Sequence, residues 1–554
     1  MTEREPSPSS SSPATHQVAP VEPPSPWYRR PTVVRWLALG SLVLVAALVR
    51  WPGLVHRAVW YDEAITLMVT AGDSHPDWPD RPVPANNLAP LFDAQGAPAQ
   101  IVELVRTKDA HPPLGYLAFA GWKWFFGPSI EAARSLSLLA SVLSVVLLFE
   151  ALRRLEVRHR WALALLYAVS TGAVHSGHEA RAYALAGMLV LAAVLLATMA
   201  VARRSEPVGS TWPAVGAGLA TALAFHVNYV TLFSSAVVLA WLLLRLWGAA
   251  KRPVLLALGT SLGVALPTLP VLRSQTGTGM ANVEGFPGWL ESLRALATMN
   301  LEILGVPTPD PGLRTLLAGL LLLAAISATA VVIWRQSQSL HRLLAGPWPL
   351  LAGLAVAPTL GVLALDLAFD RQFHLPRYLV FAGPALAVLA GYGVVATARR
   401  AASLSKRRLG WALYGVLLAI LVSNTNWAGL ELCPNHQFGS TTRSLAQRIA
   451  TTSSPEAVVL IGEGAGHGAP AEILYELLQV APDTRVAFFR HPEQVAPLFE
   501  SVADAPDLWL LFAVDGRSLE AENAMLGLIQ QSGRFAGVHR EARGLHVARV
   551  GGTH

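Results

Sequence analysis

A small number of polar residues, set between long apolar runs, carry the chemistry available to this chain. Trp60-Tyr61-Asp62-Glu63-Ala64 places two adjacent carboxylates just after the first apolar run. Neighbours on a helix project about 100° apart, so one acid can act while the other orients. An Asp in a partly apolar pocket serves as a general base toward a hydroxyl. The plainer alternative is a solvated pair at a helix start, where acids suit the dipole. His111-Pro112-Pro113-Leu114 offers an imidazole fixed by two rigid prolines, or simply a helix N-terminus. Glu179-Ala180-Arg181-Ala182-Tyr183 joins an acid, a guanidinium and a phenol, and Arg is the favoured forked partner for phosphate. Arg377-Tyr378, with Arg371 and His374 just before it, repeats the Arg and Tyr pair; interfacial anchoring is its plainer reading. His226-Val227-Asn228-Tyr229 reads as polar caps on a tight turn, and no His-x-x-x-His spacing accompanies it for zinc.

The elements that must position these residues are membrane helices. Of 554 residues, 53% are hydrophobic and only 14% charged, and apolar stretches repeatedly reach the roughly 20 residues that cross a bilayer. The net charge of +6 comes from short basic clusters between apolar runs, the arrangement of cytoplasmic loops rather than of a nucleic-acid surface. The single cysteine, Cys433, rules out an intramolecular disulfide framework and a cysteine-based metal cluster. Residues 1–31, rich in Pro and Ser, form a disordered cytoplasmic tail. Val33 to Val49 is a signal anchor without a cleavage pattern after it.

Basic clusters on one face require an even number of spans between them. The pairs are 161–178 with 182–201, 212–227 with 230–247, 253–272 with 313–334, and 347–368 with 378–398. Before them lie Val33 to Val49, Leu114 to Phe126 and Ile130 to Leu152, one of which cannot span. Leu114 to Phe126 reaches only about 20 Å of a core about 30 Å thick, so it is an interfacial or re-entrant helix. A last span at 410–428 brings the total to about eleven. Parity then puts every polar segment named above, and the 273–312 loop, on the extracytoplasmic side.

The organisation expected is an all-α polytopic membrane domain over 32–430, whose first outer loop is 52–129, followed by an extracytoplasmic α/β domain over 431–554. Ala457 to Ile461, Arg485 to Phe489 and Asp507 to Ala513 read as strands, and Pro470 to Val480, Glu493 to Val502 and Ser518 to Gln531 as helices, with a closing hairpin expected over Phe535 to Val550. Gly464, Gly466 and Ala469 match a dinucleotide loop, but Arg490 and His491 stand where a ribose-binding acid belongs, so a flexible loop is preferred.

The four motifs Trp60-Tyr61-Asp62-Glu63-Ala64, His111-Pro112-Pro113-Leu114, Glu179-Ala180-Arg181-Ala182-Tyr183-Ala184-Leu185 and Arg377-Tyr378-Leu379, in this order, resemble the GT-C glycosyltransferases of the protein O-mannosyltransferase and aminoarabinose transferase type. The resemblance covers roughly residues 33–400. It implies sugar transfer from a polyprenyl-phosphate donor to a lipid, glycan or protein acceptor outside the cytoplasm, with inversion. It implies Asp62 as base with Glu63 beside it. His111, Glu179, Arg181, Tyr183, Arg377 and Tyr378 would bind substrate, the two arginines at the donor phosphate. Whether a divalent cation, Mg²⁺ or Mn²⁺, assists the acids is open at this level. The competing classes are a polytopic transporter, which would show charges and broken helices at mid-membrane, and a non-catalytic envelope scaffold.

Overall fold

The computed structural model describes residues 31–73, 76–278, 285–305, 340–400, 436–454, 456–462, 468–489, 491, 494–513, 538–540 and 545–550, with scattered positions at 327–335, 408–422 and 523–531. The 1–31 tail, the spans expected at 313–334 and 410–428, the Ser518 to Gln531 helix, Cys433 and most of the glycine run lie wholly or largely outside them.

Seven described helices are long and apolar enough to cross a membrane: Thr32–His56, Ile130–Arg154, Tyr183–Ala202, Val208–Val227, Lys251–Gln275, Trp348–Phe369 and Pro376–Ala396. With Val34, Trp36, Leu37, Leu44 and Leu48 exposed on the first of them, the chain is a multi-pass membrane protein whose apolar outer face is matched to lipid. Small residues let these helices approach closely. Ala193, Ala197, Ala214, Ala217 and Ala257 share one core, and a Cβ on Gly218 would fall 2.2 Å from the Ala257 carbonyl.

Six helices build the entry to the site. Helix α1 (Pro31–His56) leads into α2 (Tyr61–Ala71), whose first turn carries Asp62 and Glu63. Gly72 closes α2 at φ +97°, returning its N–H to Met68 and Val69, a left-handed cap that suits glycine. After the short α3 (Pro90–Asp93) come α4 (Pro98–Lys108) and α5 (Pro113–Phe126). The 14 residues of α5 begin at Pro113 in the first helical position and stay too short to span. Its exposed end, Trp124, Phe125 and Phe126, fits the interface. Helix α6 (Ile130–Arg154) starts on Ser129, whose side chain accepts from Ala132 N–H.

The stretch expected to cross at 161–178 is instead two short helices, Arg160–Ala168 and Thr171–Gly177. Ser170, a capping type, starts the second helix. Gly172 then lies against helix Trp289–Leu304, where a Cβ would meet Ile303 at 2.8 Å. The Ser170 hydroxyl donates back to the Tyr167 carbonyl, and the close approach at Gly172 packs the second helix in its own direction.

A six-stranded sheet runs in the order β1-β3-β2-β4-β6-β5. Strands β2 (Val458–Gly462), β3 (Arg485–Phe489) and β4 (Leu508–Ala513) are parallel, while β5 (Val538–Arg540) and β6 (Leu545–Val550) form an antiparallel hairpin against β4. Strand β1 (Val83–Pro84) comes from the first loop and pairs antiparallel with β3, Val83 opposite Val486. Alternate residues of β2 face opposite ways, as a strand requires. Val458 and Leu460 join Val495 and Leu498 on one face. Val459 and Ile461 join Leu67, Met68, Phe92 and Phe119 of the first loop on the other. The sheet layer and the segment bearing Asp62 therefore share one hydrophobic core.

Candidate active site

Asp62 is the second residue of α2 and is almost fully buried. Arg377 Nη1 donates to its Oδ2 at 2.6 Å, and Arg181 Nε stands 3.8 Å from the same oxygen. Burial pushes the Asp62 carboxyl up, but Arg377, Arg181 and His111 outweigh it and hold it below the usual range. Arg377 lies 5.9 Å from the Trp60 ring and 5.8 Å from the Tyr378 ring, a cation set among aromatic walls.

Arg181 is the hub. Its Nη1 donates to the Tyr116 hydroxyl at 2.9 Å, Thr66 Oγ1 at 3.2 Å and the Asp62 carbonyl at 3.4 Å. Its Nη2 lies 3.2 Å from His111 Nε2. Tyr116 donates to Asp109 Oδ2 at 2.6 Å, and Asp109 Oδ1 accepts the Ala110 and His111 N–H groups and lies 2.7 Å from His111 Nδ1. Burial opposes the Asp109 charge, yet His111, Arg181 and Tyr116 hold its carboxyl well below the carboxylate range. Gln275 Nε2 donates to the His111 carbonyl at 2.8 Å and takes the Tyr229 hydroxyl on its Oε1. Thus the loop histidine is fixed from three sides.

Thr66, His111, Tyr116, Arg181, Tyr183 and Asn228 line a crevice between α2, α5 and the membrane helices. The Tyr183 hydroxyl is buried with no hydrogen-bond partner among the described residues. Its ring packs edge-on against Tyr378 at 6.3 Å. Tyr183 also borders a deeper cavity lined by Ser141, Ser144, Tyr167 and Ser176.

Glu63 has a different situation. It is 0% exposed, and Arg134 grips both its oxygens at 2.8 and 2.6 Å while Ala180 N–H donates to Oε1 at 2.8 Å. Burial opposes its charge, and Arg134 more than compensates. Glu179 is buried beside His175, 3.3 Å from its Nε2. His374 pairs with buried Asp366 at 2.7 Å, and Asp366 also accepts Phe373 N–H, so the acid inside helix Trp348–Phe369 holds the turn that delivers Arg377. His226 bonds Val264 O and Thr268, the structural reading.

The structure therefore joins Asp62, His111, Arg181, Tyr183, Arg377 and Tyr378, and sets Glu63 and Glu179 apart on other partners. Asp109, Tyr116, Thr66 and Arg134 escaped the sequence reading. Asp109 left a signal, an Asp two residues before His111 able to accept its N–H. Arg134 left another, a charge four residues into an apolar helix.

No protein-family model matches the chain, and no curated protein matches it in sequence. Solved structures do resemble it. ArnT from Cupriavidus metallidurans in the apo state superposes with a TM-score of 0.54 at 13% identity, over 94% of this chain and 99% of that one. The same protein bound to undecaprenyl phosphate gives 0.52 at 13% identity, over 95% and 100%. An Archaeoglobus fulgidus oligosaccharyltransferase in the apo form gives 0.42 at 13%, over 88% and 70%. Along nearly the whole of both chains, the fold resembles that of ArnT.

Proposed function

We propose that this chain is a membrane glycosyltransferase that moves a sugar from a polyprenyl-phosphate donor to an acceptor hydroxyl on the extracytoplasmic face, with inversion and with Asp62 as general base. The observation that carries this reading is the Asp62 carboxylate held between Arg377 and Arg181. An anion-binding pair next to a base is what displacement of a phosphate by a hydroxyl requires. The ArnT fold, in which one structure holds undecaprenyl phosphate, supports a lipid carrier of that kind. In this reading the N-terminus is cytoplasmic, about eleven helices span, and the sheet layer lies outside with the site. The acceptor is a lipid, glycan or protein hydroxyl.

The acceptor oxygen attacks the anomeric carbon as the bond from that carbon to the phosphate oxygen breaks. Asp62 takes the hydroxyl proton, and the polyprenyl phosphate leaves with its growing charge on Arg181 and Arg377. Tyr183 and Tyr378 stand beside both cations and hydrogen-bond phosphate or sugar. An Asp clamped by Arg377 is a weak base, so donor arrival has a second effect. The phosphate draws Arg377 toward itself, and Asp62 gains basicity only when a donor is present. Glu63, spent on Arg134, positions α2 rather than reacting, and Glu179 supports the neighbouring turn.

The acids do not suit a divalent cation. Asp62 Oδ2 is occupied by Arg377, both Glu63 oxygens by Arg134, and among the described residues no group of three or more His, Cys, Asp or Glu is arranged to hold a metal ion. No step is assigned to a metal.

The test begins with lipid extracted from the purified chain and identified by mass spectrometry. That lipid is then returned to vesicles holding wild type or D62N. Transfer is expected to fall by roughly 10²–10⁴-fold in D62N. Transfer at the wild-type rate overturns the assignment.

A further inference from the structure

The cation at the centre of the site is itself held in a ring of hydrogen bonds. Asp109 follows α4 in an extended conformation, and its Oδ1 accepts the Ala110 and His111 N–H groups at 2.6 and 2.9 Å. That turn sets the carboxylate between two side chains of different chemistry. Oδ2 takes the Tyr116 hydroxyl at 2.6 Å, and Oδ1 stands 2.7 Å from His111 Nδ1. Both side chains then reach Arg181. The Tyr116 oxygen meets Nη1 at 2.9 Å, and His111 Nε2 meets Nη2 at 3.2 Å. Asp109, Tyr116, Arg181 and His111 thus form a closed circuit, and the last three line the crevice.

The two charged members decide the direction of every bond in that circuit. A carboxylate only accepts, so the Tyr116 hydroxyl and His111 Nδ1 are the donors toward Asp109. A guanidinium only donates, so the Tyr116 oxygen and His111 Nε2 offer it lone pairs. Without the carboxylate, a phenol or an imidazole is free to turn its own hydrogen toward Arg181, which has no acceptor to receive it. Arg binds phosphate through parallel N–H bonds from a planar fork, so the plane in which the fork is held governs the fit. Neighbours fix the circuit in place. Gln275 Nε2 donates to the Val105 and His111 carbonyls at 2.9 and 2.8 Å, and Thr66 Oγ1 takes Arg181 Nη1 at 3.2 Å.

We propose that Asp109 is a positioning residue for Arg181: it fixes the proton direction of both Tyr116 and His111, so that their lone pairs hold the guanidinium fork in the plane that receives the donor phosphate. The role rests on Arg181 meeting that phosphate. Both oxygens of Asp109 are engaged, so it orients the site without itself taking a proton from the acceptor. The turn before His111 therefore governs the leaving-group side of the reaction, while α2 carries the base.

The experiment uses the full chain in detergent micelles, with undecaprenyl phosphate as probe and calorimetric titration as the readout. R181A should weaken the probe about 10–100-fold, with Arg377 left to hold it. D109N offers an amide N–H to one arm, which must then turn its own donor on Arg181, and binding should fall about tenfold. Y116F removes one arm, leaves the carboxylate in place and should lose about threefold. Made in an R181A chain, each of these changes should cost less than about twofold, because the guanidinium they act on is gone. A merely structural role would weaken both backgrounds by the same factor. Equal losses on the two backgrounds therefore overturn the proposal, as does wild-type affinity in D109N or Y116F, and Y116F carries the test where D109N fails to fold. R181A binding the probe as wild type does is a different failure, which removes Arg181 from the phosphate and the positioning role with it.

Discussion

Charge removal at the Glu63–Arg134 pair should cost stability in a way that separates a structural acid from a reacting one. Both side chains are 0% exposed. Arg134 donates to both Glu63 oxygens and to the carbonyls of Leu54, Arg57 and Ala58. It therefore staples α6 to the segment joining α1 and α2. Breaking a buried pair from one side leaves an uncompensated charge, at a cost of about 3–5 kcal/mol. E63Q and R134Q should each lose about that much, whereas E63Q/R134Q, with no charge left, should lose about 3–5 kcal/mol in place of the roughly 6–10 kcal/mol that additivity gives. Denaturant titration in mixed micelles, followed by tryptophan fluorescence, reads all three. Additive losses would refute the pairing argument. An E63Q chain of unchanged stability and no transferase activity would make Glu63 a reacting group.

Two further outcomes follow from the same geometry. R377A should weaken undecaprenyl phosphate binding by about 1.5–3 kcal/mol, one charged hydrogen-bonding partner; R377K should recover part of it, keeping charge without the fork, and calorimetric titration with equal affinities for all three would remove Arg377 from the phosphate site. The acid limb of stability is set by Asp62, Glu63 and Asp109, all lowered in the folded chain. Between the folded values and the unfolded values near about 4 the unfolded chain binds more protons, so stability is fully present above about pH 4 and lost as pH falls through the folded values. Unfolding titrations of wild type and D109N should therefore differ in acid slope, and parallel curves would count against the Asp109 cluster.

The motifs around Asp62, His111, Arg181 and Arg377 were legible because polar residues beside apolar runs are expensive and so conspicuous. That they share one face was an expectation from charge parity. What stayed hidden depends on tertiary pairing. Arg134 looks like an ordinary end residue until Glu63 is found against it. Strand β1 is two residues long and has no period to read. The break at Val169 and Ser170 was missed for another reason, since apolar length reports burial and not whether one helix or two carries it.

The position of Asp62 at the start of α2 now has a physical cause. A base at a helix N-terminus favours its charged form, and the same turn must leave its first N–H groups satisfied away from water. Glu476 takes the Val59 N–H, and Glu63 receives the Trp60 N–H at 3.4 Å. Those acceptors are acids, and each acid added there raises the cost of ionising Asp62 unless an arginine answers it. Membrane helices supply arginines for Asp62 and Glu63, and the sheet layer supplies one for Glu476. Asp62 is answered by two arginines, Arg377 and Arg181, and Glu63 by Arg134, so each charge at the start of α2 meets its counter-charge.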